Sequence, residues 1–109
     1  MPHANEFLLG FGFRQNSTVA GFTLISAAAS EQTVQRYQEY SYRLQLIYRG
    51  TGDFNTLYHA VLRQVSTPHI IYGVRNPYRC TIDTPQHGSV TRSGNDIYFE
   101  LTGHAHRSN

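Results

Sequence analysis

The chain has 109 residues, of which 15% are charged and 13% are aromatic, and its formal net charge is +2. A single cysteine excludes a disulfide framework, and the aromatic content excludes a largely disordered chain. A charge of +2 also argues against a polyanion binder that works through charge density alone. All nine basic residues are Arg, with no Lys at all, so little of the surface carries the usual solubilising charge.

The chain shows no sign of a targeting or membrane segment. Its longest uncharged stretch, residues 15–30, contains Asn16, Ser17 and Thr18 and is too polar to span a bilayer. The first residues lack the basic region of a secretory signal. We therefore expect one domain over residues 1–109, a cytoplasmic site of synthesis and no membrane partner.

The N-terminal third alternates between apolar and small or polar residues. Phe7 to Phe13 follows a period of two, which predicts a strand, and Arg14 to Ser17 has turn chemistry. A second strand is predicted from Thr18 to Ser26, so that the two strands form a hairpin. Residues 27–30 are then expected to form a connector or a short helical turn.

Alternation resumes from about Arg36 to Arg49. One side of this predicted strand carries Tyr40, Tyr42, Leu44, Leu46 and Tyr48, and the other carries Ser41, Arg43, Gln45 and Arg49. A helix from Glu31 to Tyr42 remains an alternative, although its apolar spacing is poorer.

The clearest helix signal covers residues 53–65. Asp53 is a good N-cap, and the apolar residues that follow recur at helical spacing. These residues are Phe54, Leu57, Tyr58, Val61, Leu62 and Val65.

Short strands dominate the remainder. They are predicted at residues 69–74, 78–82, 89–92 and 97–102, with a turn at Asn76-Pro77 and a tight hairpin at residues 93–96. The expected fold class is α+β: a mostly antiparallel barrel or sandwich of about seven strands, flanked by one amphipathic helix. This arrangement is similar to that of phage tail-tube-type subunits.

The C-terminal strand carries a candidate metal site. Glu100, His104 and His106 share one side if the strand continues, and two imidazoles with a carboxylate can hold a divalent metal. The opposite side is the apolar one, so these residues point away from the core, and Gly103 interrupts the pattern. A polar surface is the stronger interpretation, and no cofactor is expected.

Enzymatic chemistry finds little support. A small ribonuclease needs an acid, a base and a group that holds the phosphate. A histidine with Arg79 and Glu100 would match these groups, and the candidate histidines are His59, His69, His87 and His104. No sequence spacing indicates that such a set comes together. Cys80 alternates inward and is expected to be a buried, inert thiol. The sequence favours a protein that is not an enzyme.

Arg and Tyr interleave along the predicted strands, at Arg36, along residues 37–49 and again from Arg75 to Arg79. Such pairs stack and bind nucleic-acid bases and phosphates, and they are also enriched at subunit interfaces, while some of the Tyr can simply fill the core. The candidates for an interface or a ligand site are Tyr40, Tyr42, Arg43, Tyr48, Arg49, Tyr72 and Arg79.

Low charge, missing Lys and several strand edges together favour self-association into a homo-oligomer. One concrete form is a phage virion component, such as a tail or neck ring subunit or a decoration protein. A rival is a small-molecule-binding or hydrolytic barrel whose aromatic pocket uses Tyr72, Arg79, His87 or Glu100. A single-stranded nucleic-acid binder is a further alternative and is not favoured.

Overall fold

The computed structural model describes residues 3–34, 37–72 and 77–108. The predicted strand start at Arg36, the positions of Gly73 and Val74, and Arg75 and Asn76 lie outside these residues. In chain order the elements are α1 (His3–Gly10), β1 (Thr18–Val19), β2 (Phe22–Val34), β3 (Tyr37–Arg49), α2 (Phe54–Val65), β4 (His69–Ile71), β5 (Tyr78–Ile82), β6 (Gln86–His87), β7 (Thr91–Ser93) and β8 (Asp96–Ser108).

The strands form one antiparallel sheet in the order β1-β2-β3-β8-β5-β4, which curls into a half-barrel. Strand β8 is its centre: β3 pairs along one side, and β5, β6 and β7 follow one another along the other side. The predicted α+β class is confirmed, with two helices against the curled sheet rather than one.

The predicted strand at residues 7–13 is wrong, because the chain forms α1 there. Ala4, Phe7 and Phe11 recur at helical spacing and are buried together. Gly12 then takes a φ of 76°, and the amide of Phe13 donates to the carbonyl of Leu8. The amide of Gly12 donates to the carbonyl of Leu9, which completes a Schellman cap. The alternation of apolar residues therefore predicted a strand where the chain forms a helix that is capped at Gly12.

The first hairpin joins β1 to β2 instead, through a turn at Ala20 and Gly21 that both adopt positive φ. The connector expected at residues 27–30 is also wrong, since β2 continues through them to Val34. Pairing of β2 with β3 runs to Val34 and Tyr37, so the alternative helix from Glu31 to Tyr42 is not formed in the described residues.

The alternation along β3 is confirmed. Tyr40, Tyr42, Leu44 and Leu46 are buried, whereas Arg43 and Arg49 are exposed. The helix predicted at residues 53–65 is confirmed as α2, and the Asp53 carboxylate accepts the amide of Thr56 at 3.1 Å as its N-cap.

The two helices cover the concave face near opposite ends of the long strands. Phe7 of α1 stacks on Tyr40, with ring centroids 5.1 Å apart. Phe54 and Tyr58 of α2 contact the edge of Phe99 on β8, at 5.2 and 5.7 Å. Neither helix of the described chain is long and apolar enough to cross a membrane. The opposite face of the sheet is left uncovered by either helix.

Candidate functional site

A polar groove lies on the uncovered face, where β2, β3 and β8 run side by side. Cross-strand pairing places Ser41 opposite His104 and Arg43 opposite Thr102. One side of the groove is formed by Asp83 and Thr84, which follow β5, and by Gln86 of β6. The other side is formed by Ala28 and Ser30 of β2. The groove encloses about 590 Å³ and brings hydroxyl, guanidinium, imidazole and carboxylate groups to one surface.

Three contacts on this face join a basic side chain to a carboxylate across the strands. Arg43 lies 3.6 Å from Glu100, His104 lies 3.2 Å from Glu39, and His106 lies 3.1 Å from Asp83. The two histidine contacts are ion pairs only when the imidazole is protonated. Most of these side chains are substantially exposed, so each contact adds little to stability.

The metal candidates Glu100, His104 and His106 do lie on one side of β8, as expected, because the strand runs through Gly103 without a break. Each of them nevertheless faces a different partner across the strands. Within residues 3–34, 37–72 and 77–108, no three His, Cys, Asp or Glu side chains come together as metal ligands. In this geometry each of the three contacts a different cross-strand side chain.

Ser41, His104 and Glu39 have the composition of a nucleophile relay but not its geometry. The Ser41 hydroxyl and the Glu39 carboxylate both lie 3.2 Å from Nδ1 of His104. A relay needs the acid on one ring nitrogen and the nucleophile on the other. Because both groups share one nitrogen, His104 in this arrangement does not act as a base toward Ser41.

Tyr40 and Tyr42 lie in the core, where they offer no ring to a nucleic-acid base or to a second chain. The Tyr40 hydroxyl lies 3.2 Å from that of Tyr78, and the two form a buried hydrogen bond. Burial raises the pKa of both phenols above their ordinary value. Both therefore stay protonated across the physiological range.

The Tyr42 hydroxyl is the one buried side-chain polar atom without a hydrogen-bond partner in the described residues. Its ring lies across Gly103, and Tyr42 and Gly103 both line the groove. Burial, with smaller contributions from Tyr58 and Asp83, raises the pKa of Tyr42. This hydroxyl is neutral and closed to solvent, on the buried side of a residue that also lines the groove.

The other sequence candidates do not converge on this groove. Tyr48 is half-buried against Phe22, and Arg49 lies 4.0 Å from Asp96 at the opposite end of β3. Tyr72 is 81% exposed, directly after β4, and Arg79 is exposed on β5. An aromatic pocket that uses Tyr72, Arg79, His87 or Glu100 stays a prediction.

The candidate histidines occupy separate surroundings. His59 contacts the carbonyl of Asn55 on α2, His69 lies against Phe11 of α1, and His87 packs on Tyr58 of α2. Cys80 is buried, as expected, and burial raises the pKa of its thiol to about 12. A nuclease set of one of these histidines or His104 with Arg79 and Glu100 stays a prediction.

A second candidate surface is the edge of β2 that faces away from β3. Strand β1 covers this edge only as far as Thr23, and the last hydrogen bonds on this side join Leu24 to Asn16 and Ser17. Among the described residues, no strand pairs with this edge from Ile25 to Val34. We call residues 25–34 the free edge.

The backbone groups on the free edge can be assigned from neighbouring hydrogen bonds. The amide of Asp83 donates to the carbonyl of His104, so His104 turns its backbone away from β3. Its partner Ser41 forms no hydrogen bond with it, so the N–H and C=O groups of Ser41 point toward β2. Ser30, the partner of Ser41 on β2, therefore points its own N–H and C=O groups toward β3. Because the direction alternates along β2, the residues next to Ser30 point the other way. The outward N–H and C=O groups belong to Ala27, Ala29, Glu31 and Thr33.

Sequence reasoning identified Arg43, Glu100, His104 and His106 but missed Ser41, Asp83 and Gln86. Their meeting depends on β8 pairing with β3 on one side and with the β5 to β7 segment on the other. No local spacing signals that arrangement. No family model, no curated protein and no solved structure matches the chain.

Proposed function

We propose that the chain is a non-enzymatic, self-associating structural or assembly protein. The free edge of β2 is the observation that carries this proposal. Unpaired N–H and C=O groups along a strand are a template for another strand. Soluble proteins usually protect such an edge with Lys, Pro or an early bulge. Here the bulge lies at residues 24–26, and the strand continues for eight residues beyond it.

The composition of the free edge supports the same role. Residues 25–34 contain three Ala, two Ser and no Lys or Pro, and Glu31 is their single charged residue. Small side chains allow two backbones to approach closely, and one acid on the edge gives little repulsion. Arg43 lies opposite Ala28 on the next strand, and its exposed guanidinium group lies 3.6 Å from Glu100 of β8.

Light scattering on the purified protein at tens of micromolar tests the proposal. We expect a mass above that of the monomer for the native chain. The variant A28K/S30K puts two ammonium groups on exposed positions of the edge and is expected to be monomeric. The matched control N55K/S89K adds the same charge at exposed positions of α2 and of a loop and should associate like the native chain. A monomeric native chain overturns the proposal.

A phage virion component is one form that this role takes. A decoration protein needs contact with only a few neighbours, whereas a tail or neck subunit closes into rings. Negative-stain images of the concentrated protein distinguish these forms: rings or tubes support a tail or neck subunit, and small closed oligomers support a decoration protein. Separate monomers contradict both.

A small-molecule-binding role is the second candidate, and the groove of about 590 Å³ that brings Ser41, Arg43 and His104 to one surface favours it. Its test is thermal unfolding with a panel of sugars, amino acids and small anions. Binding in the groove is supported if a ligand raises the melting temperature of the native chain more than that of the variant T102R, whose substitution lies in the groove. Equal shifts in the two proteins would count against the groove.

A further inference from the structure

We infer that two copies of the chain pair antiparallel along their free edges, around a two-fold axis at Ala29, so that their sheets become continuous. This inference rests on the proposed self-association and specifies its partner and geometry. It follows from which backbone groups face outward, from the residues that the symmetry places opposite one another, and from the unequal edges of the sheet.

The outward groups make a regular ladder possible. Ala27, Ala29, Glu31 and Thr33 each direct both backbone groups away from β3, as derived above from the bonds of His104. The centre of the free edge is Ala29. With the axis there, regular pairing extends from Ala27 to Glu31 on each chain, a length of about 17 Å, and stops before the bulge at residues 24–26.

The axis at Ala29 also gives an acceptable set of side-chain neighbours. Ala27 lies opposite the partner's Glu31, and Ala28 opposite the partner's Ser30. No charged residue meets a like charge, and no large side chain prevents the approach of the backbones. The edge is therefore complementary to itself.

Helix α1 lies against both end strands of the sheet, β2 and β4. Its Phe7 ring packs on the concave face, where it contacts Tyr40 and Tyr42. Ala28 and Ser30 are exposed on the opposite face of β2. In the proposed dimer the second β2 extends the sheet on the side of Ala28 and Ser30, with α1 kept in place.

A head-to-tail arrangement fits less well. It would join β2 of one copy to β4, the strand at the other end of the sheet order. The described part of β4 has three residues. A three-residue partner leaves most of the free edge unpaired, whereas a second β2 covers it. Like edges pairing around a two-fold axis give a closed dimer.

Cysteine pairing between two different variants tests the register. Residues 28 and 30 of opposite chains form a pair without mutual hydrogen bonds, with Cα atoms about 4.5 Å apart, within disulfide range. We expect a mixture of A28C and S30C to form at least about tenfold more disulfide dimer than either variant alone, because identical positions lie more than about 7 Å apart. The native chain, whose Cys80 is buried, is the background control.

The outcomes separate the two proposals. If the native chain is oligomeric and the mixture cross-links no better than the single variants, the two-fold register is wrong while self-association stands. If A28C alone cross-links most, the axis lies at residue 28 and the inference is overturned. If the native chain and both variants are monomeric, the proposed function itself fails.

Discussion

Tyr42 lies across Gly103, its direct partner on the neighbouring strand. A methyl group on residue 103 would stand 2.7 Å from the tyrosine hydroxyl and 3.1 Å from Cζ. The hydroxyl itself has no hydrogen-bond partner among the described residues. Gly103 therefore leaves room on β8 for the ring of Tyr42. Strand β8 continues through Gly103, although the predicted strand ended at residue 102.

Replacing Gly103 with Ala should destabilise the protein by about 1–3 kcal/mol, because the added methyl overpacks a buried ring. The double variant G103A/Y42F should recover part of this loss, since it removes the nearest atom. Urea unfolding monitored by circular dichroism measures both. G88A is the control, because a Cβ there meets only the Glu100 carbonyl, at 3.9 Å. Equal stability of G103A and G88A would contradict the packing argument.

Gly12 has a different requirement, which concerns only its backbone. Its φ is 76°, and a Cβ there would meet nothing within 4 Å. G12A should therefore cost about 1–2 kcal/mol, the penalty of a left-handed conformation for a residue with a Cβ. G12N should lose less, because Asn tolerates this conformation better. Identical unfolding midpoints for native, G12A and G12N proteins would show that the cap does not limit stability.

The Tyr40–Tyr78 bond predicts coupling between two buried hydroxyls. Y40F or Y78F alone should cost about 1–2 kcal/mol, because each leaves the other hydroxyl without its partner. The double variant should cost less than the sum of the two. A double-mutant cycle by urea unfolding gives the coupling energy. Strict additivity would mean that water already satisfies both hydroxyls.

Stability should fall at alkaline pH. Burial raises the pKa of Tyr40, Tyr42, Tyr58 and Tyr78 above the ordinary value of about 10. The unfolded chain then loses these protons first, so the stabilisation is complete below about pH 10 and is lost as pH rises above it. Unfolding free energies between about pH 8 and about pH 11 should show this decline. A flat profile across that range would contradict it.

Two proline variants of β2 test the backbone directions. A28P removes an N–H that should bond to β3, and we expect a loss of about 3 kcal/mol or more. A29P removes an outward N–H and should cost much less, as proline does on edge strands. Urea unfolding of both compares them directly. A29P should also abolish self-association, and the reverse order of stabilities would invalidate the assigned directions.

The sequence pattern alone predicted those elements whose conformation does not depend on which strands pair with them. Asp53 and the apolar residues after it specify α2, and the alternation from Tyr40 to Leu46 specifies β3 and its buried side. The segment at residues 7–13 could not be resolved in this way. Its phenylalanines fit a strand by period two, while Ala4, Phe7 and Phe11 fit a helix, and only the cap at Gly12 separates the two possibilities.

The groove was less accessible to sequence reasoning. Its chemistry combines β3, β8 and the segment after β5, so Ser41 and Asp83 come from positions more than 40 residues apart. Strand register decides which polar residues meet, and register depends on pairing between distant parts of the chain. The single-residue bulge at residues 24–26 shows the same limitation, because it changes which residues of β2 face outward.

The central position of β8 has a kinetic consequence. Its pairings with β3 join residues 47 to 67 positions apart, and it also aligns β5, β6 and β7. Non-local pairings of this kind slow folding, because the entropy of closing long loops is lost before the contacts form. During synthesis, the hairpin of β2 and β3 emerges early with both of its outer edges open. The outer edge of β3 is exposed to neighbouring nascent chains until β8 leaves the ribosome and pairs with it, whereas the free edge of β2 stays unpaired in the described sheet.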